Sequence, residues 1–348
     1  MKPQQPPDAI PQTALYPMFR GERVIEFVEK EVPEPEAGQL LIRCQANALC
    51  ASDFGQYYNG SNITPGHEAA GVVVAAGPDT RIIVGTSGVV FLMDFCGQCR
   101  HCHMGVTNIC LNKRADYGFS HDGGYGPYAL INENVFFPTG DDISPAEATL
   151  LLDVMGTGGH ANRHAQHAHP NISSVLVTGS GPIGLGVLAM AKLLLGEDMP
   201  VLITDMVPYR LKLAERLGGL PINIEASDLV DGLKHHGFDA VDVAIDTSGA
   251  TVARRASMDV LARRGVQVCV GHGGELLLNV SSDLIGGERT VMGSEYFTYQ
   301  ELPESLKLLR EHRDYLNQII THRYPVQEIG EAYNKFVARS TGKVIVEQ

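Results

Sequence analysis

Val175-Leu-Val-Thr-Gly179-Ser-Gly181-Pro-Ile-Gly184 places three glycines, spaced Gly-x-Gly-x-x-Gly, between two apolar segments. The first segment, rich in valine, predicts a buried strand, and Ile183–Leu195 predicts a helix. Between a strand and a helix, such glycines make a tight turn, let a pyrophosphate approach the backbone and let the helix pack on the strand. Because glycine is common in turns, the triplet alone is a weak signal.

A second predicted strand strengthens that signal, since it ends at Asp205, 21 residues after Gly184. A carboxylate at this place accepts hydrogen bonds from the ribose of an adenine dinucleotide. The helix N-terminus adds backbone N–H donors for the phosphates. The segment therefore predicts a dinucleotide site, in which the turn contributes Gly179, Gly181, Pro182, Ile183 and Gly184.

The two parts of the chain differ in their apolar pattern. After residue 170, helical stretches alternate with short apolar runs, namely Val175–Val177, Val201–Ile203, Val241–Ile245 and Val266–Val270. This alternation predicts βαβ units and a doubly wound parallel sheet of the Rossmann type. The first 150 residues contain shorter alternating runs such as Gln39–Cys44, with many glycines and prolines. They predict a β-rich domain with long loops, so the expected fold class is α/β with two domains.

Composition excludes several classes of function. A chain of 348 residues that is 44% hydrophobic is long enough for about two domains with real cores. The net charge of −13 is spread without a basic stripe, so nucleic acids and anionic membranes are poor partners and a small neutral substrate fits better. No apolar run reaches the roughly 20 residues of a membrane span, and the first residues lack a signal-peptide pattern. We therefore expect a cytoplasmic protein.

Four of the seven cysteines form one pattern, Cys96-x2-Cys99-x2-Cys102-x7-Cys110. Four thiolates at this spacing enclose a tetrahedral ion and leave no open position, which predicts a structural zinc. Iron–sulfur ligation has similar spacings and is the alternative. Disulfides fit less well, because the other three cysteines are an odd number.

A third group of residues combines Cys50-Ala-Ser52-Asp53 with Gly66-His67-Glu68. Thiolate, imidazole and carboxylate are the ligands of catalytic zinc sites, which keep a position open for substrate. A single cysteine and a His-Glu pair are more often packing and surface residues. This group therefore indicates a catalytic zinc site only together with the predicted dinucleotide-binding domain.

These motifs together resemble the zinc-containing medium-chain dehydrogenase/reductase family, on its alcohol and polyol dehydrogenase side. The similarity covers nearly the whole chain and includes Asp122-Gly-Gly-Tyr125 and Asp246-x-Ser-Gly249. It implies that Cys50 and His67 bind a catalytic zinc, and that Glu68 is a ligand or a carboxylate close behind.

The same resemblance implies several other roles. Asp53 would hydrogen-bond His67, Ser52 would touch the reacting oxygen and pass its proton on, and Thr157 would pack on the nicotinamide. Asp153 aligns with a position where relatives have Glu or Cys; it would bind zinc directly or only through water. Arg210 lies close enough to Asp205 in the sequence to soften its charge toward a cofactor phosphate. Val270 and His272 lie at a strand end that lines the nicotinamide side in relatives, where His272 would either hydrogen-bond a hydroxylated substrate or be a loop histidine near the cofactor.

The expected architecture is a chaperonin-10-like catalytic domain of residues 1–154 and 294–348 around a Rossmann domain of residues 155–293. The expected function is hydride transfer between NAD and a secondary, polyol- or sugar-like alcohol, by a homodimer or homotetramer with one catalytic and one structural zinc per chain. A zinc-free NADPH-dependent enone or quinone reductase, and a non-catalytic binding protein, are the alternatives. We interpret His160, His164 and His167 as surface residues of one helix.

Overall fold

The structure is a computed structural model that describes residues 9–348. The chain forms two compact units. The first comprises Met1–Thr149, Arg323–Asn334 and Val344–Gln348, and the second comprises Leu150–His322 and Lys335–Lys343. In the described part of the chain, no helix combines the length and the apolar character that crossing a membrane requires.

Within residues 9–348 the strands are β1 (Thr13–Gly21), β2 (Val24–Glu31), β3 (Gln39–Ala48), β4 (Ala69–Ala76), β5 (Ser87–Val90), β6 (Met93–Asp94), β7 (Ala115–Asp116), β8 (Tyr128–Asn132), β9 (Phe136–Pro138), β10 (Val175–Thr178), β11 (Val201–Asp205), β12 (Leu220–Asn223), β13 (Val241–Asp246), β14 (Leu261–Cys269), β15 (Thr290–Gly293), β16 (Ile320–Pro325) and β17 (Lys343–Glu347).

The α-helices are α1 (Phe54–Asn59), α2 (Arg100–His103), α3 (Pro145–Ala148), α4 (Gly158–Ala168), α5 (Pro182–Leu195), α6 (Pro208–Arg216), α7 (Leu229–His235), α8 (Thr251–Asp259), α9 (Leu302–Glu311), α10 (Arg313–Asn317) and α11 (Ile329–Val337). Two π-helical turns, Asp153–Thr157 and Val280–Leu284, interrupt this pattern. Such turns often occur at functional sites.

The first unit is built on a mostly antiparallel sheet with the order β16-β17-β3-β4-β5-β9, in which β8 also pairs with β3. Strands β3 and β4 pair so that Asn47 lies opposite Ala69. The segment that follows β3 and the segment that precedes β4 therefore emerge next to each other. This is the β-rich domain that the sequence predicts.

The second unit contains a six-stranded sheet with the order β12-β11-β10-β13-β14-β15, and each pair in it is parallel. In sequence order this is 3-2-1-4-5-6, the doubly wound Rossmann arrangement. The strand residues Leu176, Leu202 and Ala244 are buried together with Met258 of α8. Helices thus cover the apolar strands, and the predicted fold class is confirmed.

Residues 294–322 group with the second unit. The backbone N–H of Ser294 donates to Cys269 at 2.9 Å, and the hydroxyl group of Tyr315 donates to the carbonyl of Leu217 at 2.8 Å. An added Cβ at Gly156 would lie 2.3 Å from the Phe297 ring. These contacts, which tie the segment to the sheet and helices, have no signal in the local sequence pattern.

Candidate active site

Three residues of the predicted catalytic site meet where β3 ends and β4 begins. Cys50 follows β3, and His67 and Glu68 directly precede β4. One ligand atom from each of the three lies within 4.8 Å of the others. A half-buried thiol, a buried imidazole and a buried carboxyl group form a donor set that fits zinc.

The backbone at this place depends on one glycine. Gly66 has φ of 102°, and an added Cβ would lie 2.1 Å from Nδ2 of Asn47 and 2.8 Å from the ring of Tyr125. Only glycine combines this conformation with this close approach. The turn before His67 therefore requires a glycine at position 66.

Asp53 and Ser52 surround the His67 imidazole. Asp53 is fully buried, and its Oδ1 lies 2.9 Å from Nδ1 of His67. This contact assigns the proton to Nδ1 and leaves the Nε2 lone pair for a metal. The exposed Ser52 donates to Sγ of Cys50 at 3.0 Å, and its Oγ lies 3.5 Å from Nε2 of His67. The hydroxyl group thus lies between the candidate ligands and solvent.

The structure also brings residues to this site that sequence analysis missed. Tyr125 and Tyr333 place their hydroxyl groups 2.9 and 3.1 Å from Oδ2 of Asp53. The Phe119 ring lies over His67, with the ring centroids 4.9 Å apart. Tyr125 belongs to a motif that the sequence analysis identified, but Tyr333 and Phe119 have no local signal.

Asp153 and Thr157 are the first and last residues of the π-helical turn of the second unit, and both are buried. The turn packs closely against α5, since an added Cβ at Gly186 would lie 2.2 Å from the carbonyl oxygen of Val154. The helix that follows the glycine-rich turn therefore fixes the backbone that carries Asp153 and Thr157.

The four predicted cysteines of the structural site form a tight cluster. Their Sγ atoms lie within 4.8 Å of one another, and the separations are 4.0 Å for Cys96–Cys102, 3.5 Å for Cys99–Cys102 and 3.8 Å for Cys99–Cys110. A tetrahedral zinc with Zn–S bonds of about 2.3 Å requires sulfur atoms about 3.8 Å apart. The cluster therefore fits one zinc, and all seven cysteines of the chain are free of disulfides.

Backbone hydrogen bonds favour the thiolate forms of Cys96 and Cys99. The N–H groups of Gln98 and Cys99 donate to Sγ of Cys96 at 3.4 and 3.3 Å. Backbone hydrogen bonding, first from Cys102, lowers the pKa of the Cys99 thiol to about 6, whereas burial raises that of Cys102 to about 12.

An ion pair closes the base of the cysteine loop. The buried Asp94, just before the loop, accepts from Nη2 of Arg114, just after it, at 2.6 Å. The pair ties the two ends of the loop together.

The glycine-rich turn has the geometry that its sequence implies. Gly179 follows β10 with φ of 90°, and Gly181 caps α5, whose first residues are Pro182 and Ile183. An added Cβ at Gly184 would lie 1.8 Å from the carbonyl oxygen of Gly179, so the helix and the strand can approach only with glycine there. An added Cβ at Gly181 would meet nothing closer than 3.7 Å, which leaves its backbone open to a phosphate.

Asp205 and Arg210 lie beside this turn. Asp205 ends β11, and its carboxylate accepts from Ser180. Nη1 of Arg210 is the atom 3.7 Å from the Cβ position of Gly181. Burial lowers the pKa of the Arg210 guanidinium, and the charges of Asp205 and Arg339 also act on it. Arg339, a cation that sequence analysis missed, therefore adds to the charge near the turn.

Val270 and His272 follow β14 on a loop that Arg254 holds. The Arg254 guanidinium pairs with the buried Asp246 at 2.7 Å and donates to the carbonyl groups of Gly271, Gly273 and Gly274. The His272 side chain is 84% exposed, with Nε2 3.9 Å from the carboxylate of Glu295. The loop is fixed, whereas its histidine faces solvent.

The interpretation of the α4 histidines as surface residues is wrong for His160. This residue is 5% exposed, and its Nδ1 lies 3.0 Å from Oε2 of Glu301. The His164 ring lies 4.2 Å from that of His160 and is half-buried, while His167 is exposed. The segment around Glu301 covers this face of α4, and such long-range packing is invisible to helical periodicity.

Known proteins match both parts of the chain. Residues 36–141 match the family model of the alcohol dehydrogenase GroES-like domain, and residues 182–311 match that of the zinc-binding dehydrogenases. The L-threonine 3-dehydrogenase of Shewanella woodyi is 30% identical over 336 residues, which cover 91% of this chain and 94% of that protein.

Two solved structures share the fold. The alcohol dehydrogenase rspB of Escherichia coli CFT073, complexed with NADH, superposes with a TM-score of 0.87 at 22% identity and covers 97% of this chain and 100% of its own. A zinc-binding dehydrogenase of Sinorhizobium meliloti 1021 bound to NADP gives 0.84 at 24% identity, with coverage of 97% and 99%. At these identities the likeness establishes the fold alone.

Proposed function

The chain belongs to the zinc-containing medium-chain dehydrogenase/reductase family, and from that premise we propose that it transfers a hydride between a secondary, polyol- or sugar-like alcohol and NAD. The observation that carries the proposal is the donor set of Cys50, His67 and Glu68, with Asp53 bonded to Nδ1 of His67. A zinc-free reductase of the same fold does not need these metal ligands. A non-catalytic binding protein does not need them either.

We assign the catalytic metal to Cys50, His67 and a carboxylate. Glu68 is buried next to the other two, and Asp153, a buried carboxyl group on the π-helical turn, is the other candidate. The four cysteines from Cys96 to Cys110 would hold the second, structural zinc. A zinc ion held by these residues would supply Lewis acidity toward an alcohol oxygen, and NAD, when bound, would supply the hydride acceptor.

The residues of the chain perform the remaining steps. The Asp53 carboxylate accepts the Nδ1–H of His67 and keeps the imidazole in the tautomer whose Nε2 can bind metal. The Ser52 hydroxyl group, exposed and 3.5 Å from that Nε2, is placed to accept the proton of a substrate hydroxyl and to pass it to solvent. Gly55 offers no side chain to continue the relay, which would continue through water, the cofactor ribose or a different side chain.

We propose NAD rather than NADP as the cofactor, because Asp205 places a negative charge beside the glycine-rich turn, where a 2′-phosphate would be repelled. The turn residues from Gly179 to Gly184 would contact the pyrophosphate, and Thr157 and Val270 would contact the nicotinamide. His272, exposed beyond Val270, would contact a hydroxylated substrate. The secondary hydroxyl of L-threonine, the substrate named for the Shewanella relative, supports a secondary alcohol.

We also propose a cytoplasmic homodimer or homotetramer. Seven free cysteines suit a reducing compartment. Leu277 and Ile285, which are exposed on the second unit, support a contact between subunits. Light scattering on the purified protein measures the assembly directly.

One experiment tests the proposed function against its alternatives. Metal analysis of the purified protein should find two zinc ions per chain, and a panel of secondary alcohols and polyols should include one that yields NADH. Turnover of enones with NADPH in a zinc-free protein would support the reductase instead. Zinc and NAD binding without turnover of any alcohol would support a binding protein.

A further inference from the structure

The Asp53 carboxylate has more partners than the His67 contact requires. Oδ1 accepts from His67, and Oδ2 accepts from the hydroxyl groups of Tyr125, at 2.9 Å, and Tyr333, at 3.1 Å. All four side chains are buried. A carboxylate without water needs such donors, since an uncompensated buried charge is strongly destabilising.

The two tyrosines come from distant parts of the first unit and are held by aromatic packing. Tyr125 lies on the loop before β8, and Tyr333 lies on α11. The Phe19 ring contacts both of them, with centroid distances of 6.0 Å to Tyr125 and 5.1 Å to Tyr333, and Tyr57 stacks on Tyr333 at 4.7 Å. This packing holds the hydroxyl groups of Tyr125 and Tyr333 in place next to Asp53.

Both tyrosines remain donors over the working pH range. Burial, and then the negative charge of Asp53, raise the pKa of each phenol well above its ordinary value. The two hydroxyl oxygens are also 2.9 Å apart. Two hydroxyl hydrogens therefore serve three short contacts, so either both tyrosines donate to Asp53, or one donates to Asp53 and the other to the neighbouring phenol oxygen.

We propose that Tyr125 and Tyr333 are positioning residues of the catalytic metal site, which fix Asp53 so that Asp53 can fix His67. The inference rests on the proposed function, since it assumes that His67 binds the catalytic zinc. The two tyrosines act as partial substitutes for each other, because Tyr333 can donate to Asp53 when the Tyr125 hydroxyl is absent. Partners of a metal-binding histidine typically contribute about 10- to 100-fold in metal affinity or activity.

The test measures zinc release to a chelator from the intact protein, for Tyr125→Phe, Tyr333→Phe and the double variant. The slow zinc of the four-cysteine site is an internal reference in every sample. We expect Tyr125→Phe and Tyr333→Phe each to release the catalytic zinc faster, by up to about 10-fold, and the double variant to exceed the product of the two effects. Tyr315→Phe, whose hydroxyl group donates to the carbonyl of Leu217 at 2.8 Å in the second unit, is the matched control and should keep the unmodified rate.

Release of the catalytic zinc at the unmodified rate from both Tyr125→Phe and the double variant would overturn the inference while leaving the proposed function intact. Equal acceleration of both zinc ions would also overturn it, because this result indicates general loosening of the unit. If the unmodified protein holds only the slow zinc, the proposed function fails, and the inference fails with it.

Discussion

Asp205 ties the end of β11 to the glycine-rich turn through Ser180. Its Oδ2 accepts from the backbone N–H and the hydroxyl group of Ser180 at 2.8 and 3.0 Å. Its Oδ1 accepts from the N–H groups of Met206 and Val207 at 2.8 and 2.9 Å. The carboxylate thereby shapes the turn and holds a negative charge beside it.

This charge predicts a preference for NAD over NADP. A like charge against the 2′-phosphate typically costs several kcal/mol, so kcat/KM should differ by on the order of 100-fold. Asp205→Asn removes the charge at nearly constant size, and Asp205→Ser also opens space. Both variants should use NADP better, so that the ratio of kcat/KM for NAD to kcat/KM for NADP falls. Arg210 is expected to bind the 2′-phosphate. Glu215→Gln, an exposed carboxylate of α6, is the control. Comparable kcat/KM values for both cofactors in the unmodified enzyme would contradict the prediction.

Cys50→Ser and His67→Ala should abolish turnover, because each removes a proposed ligand of the catalytic zinc. Calorimetric titration with NAD, or fluorescence titration with NADH, should still show binding, since the glycine-rich turn belongs to the other unit. His236→Ala, a loop histidine of the second unit, is the control for loss of an imidazole. Near-normal turnover in either ligand variant would show that the metal site is assigned wrongly.

Asp153→Ala separates two roles of this carboxyl group. If Asp153 binds zinc directly, the variant should lose one zinc per chain together with activity. If it acts through water, zinc should stay and kcat should fall. Metal analysis and steady-state rates on the same sample distinguish the two, and a variant changed in neither would remove Asp153 from the site.

Cys99→Ser should lose the structural zinc and lower the melting temperature, because the site is complete only with four thiolates. NAD binding should survive in the folded fraction. Cys269→Ser, outside the cluster, is the matched control and should keep both zinc ions. Unchanged zinc content in Cys99→Ser would refute the structural site.

The His160–His164 pair predicts a pH dependence of stability. Burial lowers the pKa of His164 below its ordinary value of 6.5. The unfolded chain then binds this proton at higher pH than the folded chain, so the contribution to stability is complete above the ordinary pKa and is lost as the pH falls through and below it. Melting temperatures from about pH 8 to about pH 5 should fall less steeply for His164→Gln than for the unmodified protein. His167→Gln, exposed on the same helix, should keep the original slope; equal slopes for all three would exclude His164 as the cause.

Short-range pattern was sufficient for the parts of this protein whose chemistry lies in contiguous segments. The four cysteines from Cys96 to Cys110 and the glycines from Gly179 to Gly184 act within one loop or one turn, where spacing decides the geometry. The alternation of apolar runs and helices was likewise sufficient to predict the parallel sheet, because strands buried on both faces are nearly continuous apolar runs in the sequence.

Tertiary structure decided the features that depend on distant segments. Tyr333 reaches Asp53 across 280 residues, and Glu301 buries His160 across 141 residues. Residues 294–322 join the second unit through contacts of the same kind. Side-chain packing between distant segments is set by the three-dimensional path of the chain. The local sequence pattern therefore does not predict that the Tyr333 hydroxyl contacts Asp53, or which face of α4 is covered.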